Sequence, residues 1–153
     1  MYRIHKDKEL KKKIKTYTNF VEVRDSGIHG FGIFASGEIP ENGLILIIEG
    51  EVISPEESIR RETDENNVYI FWNGSVCIDT ILSDKIKYIN HSCEPSCRIL
   101  GRSKKSLRLV ANRDILTGEE FTIDYAYKEI YEYCNCEKCG YTDNHHKFNS
   151  LSQ

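Results

Sequence analysis

Asn90-His91-Ser92-Cys93-Glu94-Pro95-Ser96-Cys97 is the stretch on which the reading of this chain turns. Taken alone it is a hydrogen-bonded loop, with an Asn-His pair entering a Pro-containing turn. His91 has the chemistry of a base or of a metal ligand, and spacing does not choose between them. The segment gains meaning only from its partners elsewhere in the sequence.

Three such partners stand out. Gly30-Phe31-Gly32-Ile33-Phe34-Ala35 formally matches a dinucleotide fingerprint with alanine in third place. That fingerprint needs a helix to start at the glycines. Here Ile33 and Phe34 continue a strand, and Ser36-Gly37 and Pro40 follow almost at once. The glycines still imply close backbone approach or positive φ. Gly118-Glu119-Glu120-Phe121-Thr122-Ile123-Asp124-Tyr125 is a turn leading into a strand whose end presents Tyr125. A lone tyrosine at such a place is usually amphipathic packing. Cys134-x-Cys136-x-x-Cys139 gathers three thiols in six residues, the spacing of thiolates on one metal. Zinc takes four ligands, so the fourth comes from Cys93, Cys97, Cys77, His145 or His146.

The chain of 153 residues fits one domain, and its 39% hydrophobic content supports a packed core. No apolar run approaches the roughly 20 residues that cross a bilayer. Residues 1–15 are too charged for a secretory signal, so the protein is expected in the cytoplasm or nucleus. A reducing compartment disfavours a disulfide framework. Net charge is −3, but residues 1–15 carry +5 and the remainder −8. The acidic body is suited to a basic protein or peptide partner and repels nucleic acid, while the basic arm could touch an acidic surface.

Local patterns imply a mainly β domain with one or two helices. Residues 7–15 have the spacing of a short basic helix. Ser54-Pro55-Glu56-Glu57 is a helix start, with Ser as N-cap, Pro in the first turn and acids at the positive dipole end. That helix should stop before Asn66-Asn67. Strands are expected at residues 20–23, 31–34, 44–48, 68–72, 75–78, 107–111 and 121–123, with turns at Asn73-Gly74 and Thr117-Gly118. Residues 126–153 are polar and turn-rich and need the cysteine cluster as a staple.

In this order, these segments resemble the SET-domain family of protein-lysine methyltransferases over roughly residues 18–140. Gly30-Phe31-Gly32, Tyr69-Ile70-Phe71, Ile78-Asp79, the Asn90-His91-Ser92-Cys93-Glu94-Pro95 run, Glu120-Phe121-Thr122-Ile123-Asp124-Tyr125 and the tail cysteines carry the resemblance. It implies a SET fold of several small sheets with a knot-like crossing of the Asn-His and Asp-Tyr segments. It divides the chain into a basic N-terminal helical arm (1–17), a SET domain (18–127) and a zinc-binding post-SET segment (128–153).

The resemblance also implies roles. Gly30, Phe31, Gly32, Tyr69, Asn90 and His91 would bind S-adenosylmethionine, and Tyr125 would be catalytic. Tyr88 and Ile123 would line the substrate channel. Cys93 would join Cys134, Cys136 and Cys139 on one structural zinc ion, leaving Cys77 and Cys97 as ordinary thiols. Ser96, Phe121 and Lys87 depart from the commoner Asn, Leu and Arg. Ile123 replaces a frequent Phe or Tyr, from which di- or trimethylation is expected. A histone-like tail would be the substrate, with a monomer or homodimer as the working unit and no nucleic acid or membrane required. The rival readings are a SET-like module that binds without turnover and a small zinc protein using its arm on nucleic acid.

Overall fold

The apolar run Leu44-Ile45-Leu46-Ile47-Ile48 has no polar face to give to solvent, and it forms a buried strand, β3 (Leu44–Glu49). In the computed structural model, which describes residues 15–28 and 30–125, β3 pairs antiparallel with β9 (Ser106–Ala111). β9 in turn pairs antiparallel with β8 (Cys97–Ser103), giving a three-stranded sheet in the order β3-β9-β8. Ile45, Ile48, Leu109 and Ala111 are fully buried here and form the heart of the core with Ile33, Ile39, Ile78, Ile115 and Phe121. Packing such side chains out of water is the main favourable term for a domain of this size.

A second sheet, in the order β4-β6-β5, carries the helix. β5 (Ile70–Asn73) and β6 (Val76–Asp79) form a hairpin, and β4 (Glu51–Ile53) pairs on the other side of β6. The two-residue loop is Gly74-Ser75, one place later than the expected Asn73-Gly74, because Asn73 still pairs with Val76. Helix α1 (Pro55–Glu65) begins as its sequence dictates. The Ser54 hydroxyl accepts from the Glu57 N–H at 3.1 Å, and Glu56 and Glu57 sit in the first turn. Asn66, in the left-handed conformation at φ 55°, closes the helix where expected.

One guanidinium fastens α1 to this sheet. Arg61 donates to Glu57 within the helix (2.9 Å), to Asp79 on β6 (2.7 Å) and to Glu51 on β4. Asp79 also accepts from Asn67 Nδ2 (2.8 Å) and from the Ile81 N–H (2.9 Å). Burial alone pushes the Asp79 carboxyl up. The Ile81 N–H, the Arg61 guanidinium and the Asn67 amide outweigh it and hold the group below the usual carboxylate range.

The third sheet positions the site and runs β1-β2-β10-β7. β1 (Val21–Asp25) is an edge strand on which only Val21 is buried, so its alternation does not mark a core face. β2 (Phe31–Ala35) pairs antiparallel with β1 and with β10 (Glu120–Ile123). β10 then runs parallel to the two-residue β7 (Asn90–His91), Thr122 opposite Asn90 and Ile123 opposite His91. A parallel pair needs a long crossover. Here the crossover is built around the β8–β9 hairpin. The Ser96 hydroxyl clasps it by donating to the Glu120 carbonyl (2.9 Å) and accepting from the Thr122 N–H (3.0 Å). The Ser96 N–H completes the clasp to Thr122 Oγ1 at 3.1 Å. The Ser96 hydroxyl thus meets one acceptor and one donor of β10 at once.

Among the described residues the structure thus shows mostly small β-sheets with one short α-helix, as expected, and adds short 3-10 turns at Thr18–Phe20 and Ile86–Tyr88. Strand β8 was not foreseen. The helix expected over residues 7–15 lies, but for Lys15, outside the described residues, as does the post-SET segment with Cys134, Cys136 and Cys139. Among the described residues no helix is long and apolar enough to cross a membrane.

Replacing Arg61 by Met should leave the Asp79 carboxylate buried with two partners in place of three. The expected loss is roughly 2–3 kcal/mol at neutral pH, read from urea unfolding. The sign of its pH dependence follows from the lowered Asp79 value. The stabilisation is complete above the unfolded value near 3.9 and fades as pH falls through the folded one. The gap between wild type and Arg61→Met should therefore narrow in acid; a gap that widened would contradict the account.

Candidate functional site

The parallel pairing of β7 with β10 sets Asn90, His91, Ile123 and Tyr125 in one place although the whole of residues 92–119 separates the two strands. Asn90 is buried, and its side-chain amide donates to the Phe31 carbonyl and to Glu120 Oε2, both at 2.9 Å. A carboxylate offers only acceptors, so this contact fixes which way the amide faces. Glu120 is itself held by the Ser26 hydroxyl at 2.8 Å. Gly32 lies directly against this pair. A Cβ there would meet Glu120 Oε2 at 2.5 Å and Asn90 Nδ2 at 3.1 Å, so a side chain would have to displace the Glu120 carboxylate from Asn90. Gly30, at φ 48°, is exposed, with open space where a Cβ would point.

His91 and Tyr125 are joined more closely. The Tyr125 N–H donates to His91 Nδ1 at 3.1 Å, and the two rings lie 5.3 Å apart. With Nδ1 an acceptor, the imidazole proton is assigned to Nε2, which points at Cys93 Sγ, 3.4 Å away. The 3.7 Å approach of Asp124 Oδ1 to the same Nδ1 is then no hydrogen bond, since both atoms are acceptors. The Tyr125 hydroxyl donates to the Ile89 carbonyl. Its proton is thereby committed to main chain, and what the oxygen presents to a ligand is acceptor character.

Around this centre, Phe31 and Tyr88 pack edge to face at 5.9 Å, with Phe31 on the surface at 55% exposure. The Lys87 ammonium lies over the Tyr88 ring at 5.1 Å. Ile123 is 5% exposed and belongs to the core, at a wall of the site rather than on its open surface. The Tyr69 main chain is fixed by local bonds: its N–H donates to Asn67 Oδ1, and its carbonyl accepts from the N–H and hydroxyl of Thr80.

The thiols separate by environment. Cys97 is buried, and burial pushes its thiol up to about 11; Cys77 is shifted upward for the same reason. Both suit packing, not reactivity. Cys93 is half-buried beside His91. Among the described residues no group of three or more Cys, His, Asp or Glu is placed to hold a metal ion, and three of the four expected zinc ligands lie outside those residues.

Sequence reasoning missed two members of the site. Ser26 carries no motif. Glu120 sat in a quoted segment without a role, although a carboxylate heading a buried strand needs donors and so marks a hydrogen-bond hub.

The SET domain family profile matches residues 30–126, more than half of the chain and the whole of this site but Ser26. The H3 lysine-4 specific histone-lysine N-methyltransferase of Schizosaccharomyces pombe is 34% identical over 125 residues, 75% of this chain and 14% of the relative. Histone-lysine N-methyltransferase ATX2 of Arabidopsis thaliana is 34% identical over 142 residues, 82% of this chain and 13% of the relative. Histone-lysine N-methyltransferase trithorax of Drosophila virilis is 33% identical over 137 residues, 82% of this chain and 4% of the relative. The chain therefore spans less than a sixth of the length of each of these curated relatives. With its sheets, its Asn90–His91 and Tyr125 juxtaposition and these matches agreeing, the chain belongs to the SET-domain family.

Proposed function

We propose that this chain is a protein-lysine N-methyltransferase that uses S-adenosylmethionine and acts on a basic protein, a histone in the first place. The observation that carries the reading is the meeting of Tyr125 with Asn90-His91 across the β7–β10 pair. The relatives named as histone-lysine N-methyltransferases support it, as does a body whose residues 16–153 sum to −8 and would attract a cationic peptide. A SET-like module without turnover is the second reading, and retention of Tyr125 beside Asn90-His91 argues against it. A nuclear or cytoplasmic setting follows from such a substrate.

The residues fit the cofactor. Gly30 gives an unobstructed backbone, Gly32 lets the strand lie close against Glu120 and Asn90, Asn90 gives a carboxamide of fixed orientation, and Phe31 gives an exposed aromatic face. Asn90, His91, Gly30, Phe31 and Gly32 would hold it; Tyr69 is proposed as a cofactor contact on motif alone. Bound S-adenosylmethionine supplies a methyl already activated on a sulfonium, so the protein needs no nucleophile of its own.

What remains for the protein is to present a neutral lysine amine in line and away from water. A dry channel disfavours the ammonium and lowers the lysine pKa. Holding the amine at attack distance removes much of the entropic barrier. Tyr125, its proton given to the Ile89 carbonyl, would accept from the amine N–H and orient the lone pair. Tyr88 and Ile123 would shape the channel, and Ile123, bringing no hydroxyl to bind an amine or water, permits di- or trimethyl product. The knot-like crossing at β7–β10 belongs to the same proposal. So does a structural zinc ion on Cys93, Cys134, Cys136 and Cys139; its four thiolates would close the shell and leave it no Lewis-acid role.

Tyr125→Phe should lower kcat at least about tenfold while cofactor affinity changes by no more than about twofold. Radiolabelled transfer to a core-histone mixture, paired with titration of the cofactor, checks both; unimpaired transfer would remove Tyr125 from the mechanism. Mass spectra of a peptide product under excess enzyme should pass beyond monomethyl. Chelation to verified metal-free protein should abolish turnover, and full rate without metal would refute the zinc role.

A further inference from the structure

The overall acidity of the body hides one segment of the opposite sign. Residues 97–113 contain Arg98, Arg102, Lys104, Lys105, Arg108 and Arg113 and no Asp or Glu, a local +6. The rest of the chain beyond the basic arm then carries −14. Two of the six are used internally: Arg98 donates to Ala111, Asn112 and Asn42, and Arg113 pairs with Glu119 at 2.7 Å. Among the described residues no carboxylate pairs with Arg102, Lys104, Lys105 or Arg108.

These four cations sit on a built platform, the tip of the β8–β9 hairpin. Lys104-Lys105 is the two-residue turn, bracketed by the Ser103–Ser106 pair, and a register shift between Gly101 and Ser103 bulges Arg102 out of the ladder. The Ser103 hydroxyl accepts from the Lys105 N–H at 3.2 Å and meets the Ser106 hydroxyl at 2.8 Å. Asn73 Nδ2 ties the tip to the neighbouring β5–β6 hairpin through the Ser103 carbonyl at 2.7 Å. Arg102 uses Nη1 on Ser106 and Arg108 uses Nε on the Gly101 carbonyl, which orders both guanidiniums and leaves most of each donor fork for a partner.

We propose that this hairpin tip is a nucleic-acid-binding surface that grips the phosphate backbone without reading sequence. Residues 101–105 are all exposed and include no apolar side chain. Protein interfaces are depleted in Lys and centre on apolar anchors, whereas phosphate contacts are made by Arg, Lys, Ser and backbone N–H groups. The composition therefore favours a nucleic acid over an acidic protein. The rest of the body repels a polyanion, so within the body, the basic arm aside, contact is confined to this edge. Combined with the proposed activity, on which this clause rests, the substrate is a basic protein already seated on nucleic acid: the acidic part of the body takes the peptide and the hairpin takes the polyanion beside it.

The test uses the whole chain and a duplex DNA of about 20 base pairs, followed by fluorescence anisotropy from about 50 to 200 mM salt. Lys104→Glu with Lys105→Glu changes only exposed turn residues. It should weaken binding at least tenfold at the lower salt and reduce the salt slope by about 2. Methylation of a free histone peptide should stay within twofold, while methylation of the same histone assembled on DNA should fall with the affinity. Absent DNA binding, or affinity unchanged by the double substitution, overturns the proposal. Polyglutamate competing as well as DNA at equal charge would assign the tip to an acidic protein and overturn it too. Loss of free-peptide methylation in the wild type, with DNA binding retained, would strike the methyltransferase reading alone.

Discussion

The hydrogen bonds between β7 and β10 are the constraint on which the site depends. They are few, because β7 is two residues long, and a strand so short cannot hold register unaided. The side chains complete it. Asn90 reaches Glu120 and the Phe31 carbonyl, Ser96 and Thr122 clasp each other, and Tyr125 closes the end through His91 and Ile89. Each of these bonds is made in a buried or half-buried setting, where an unmet polar group is costly. Together they force strands from opposite ends of a long crossover into one place.

The same economy of polar groups governs the second sheet. Arg61 answers three carboxylates from three elements, so the helix, β4 and β6 lock to one another through a single side chain. Asp79 is the buried member of that set, so its carboxylate depends on those partners. The charged residues left over are not spread evenly. They separate into an acidic body and a basic hairpin tip, and this separation gives the surface two distinct electrostatic faces.

Local rules made much of the fold legible. Ser54, Pro55 and the acids behind them start a helix because its first N–H groups need acceptors there, and the helix begins where they stand. The apolar run at residues 44–48 could only be buried. β8 escaped because Arg98 and Arg102 interrupt its apolar pattern; their guanidiniums are satisfied by Ala111, Asn112, Asn42 and Ser106, partners that a strand pattern does not reveal. β1 forms where a strand was expected, and beyond Val21 both of its faces meet solvent. The Ser26–Glu120 bond joins residues 94 apart, so no local signal could announce it.

By itself the sequence determined the class of the fold, the start and stop of α1 and the short set of residues worth suspecting, because these depend on local propensity and on ordered motifs. The tertiary structure alone decided what those residues do to one another. It turned Glu120 from an unremarked acid into the anchor of the Asn90 amide and made His91 Nδ1 the acceptor of the Tyr125 N–H. It raised a basic tip out of an acidic chain. The reason is physical: hydrogen bonds and charge pairs between distant segments are set by the angle at which strands meet, and that angle is fixed only when the core has packed.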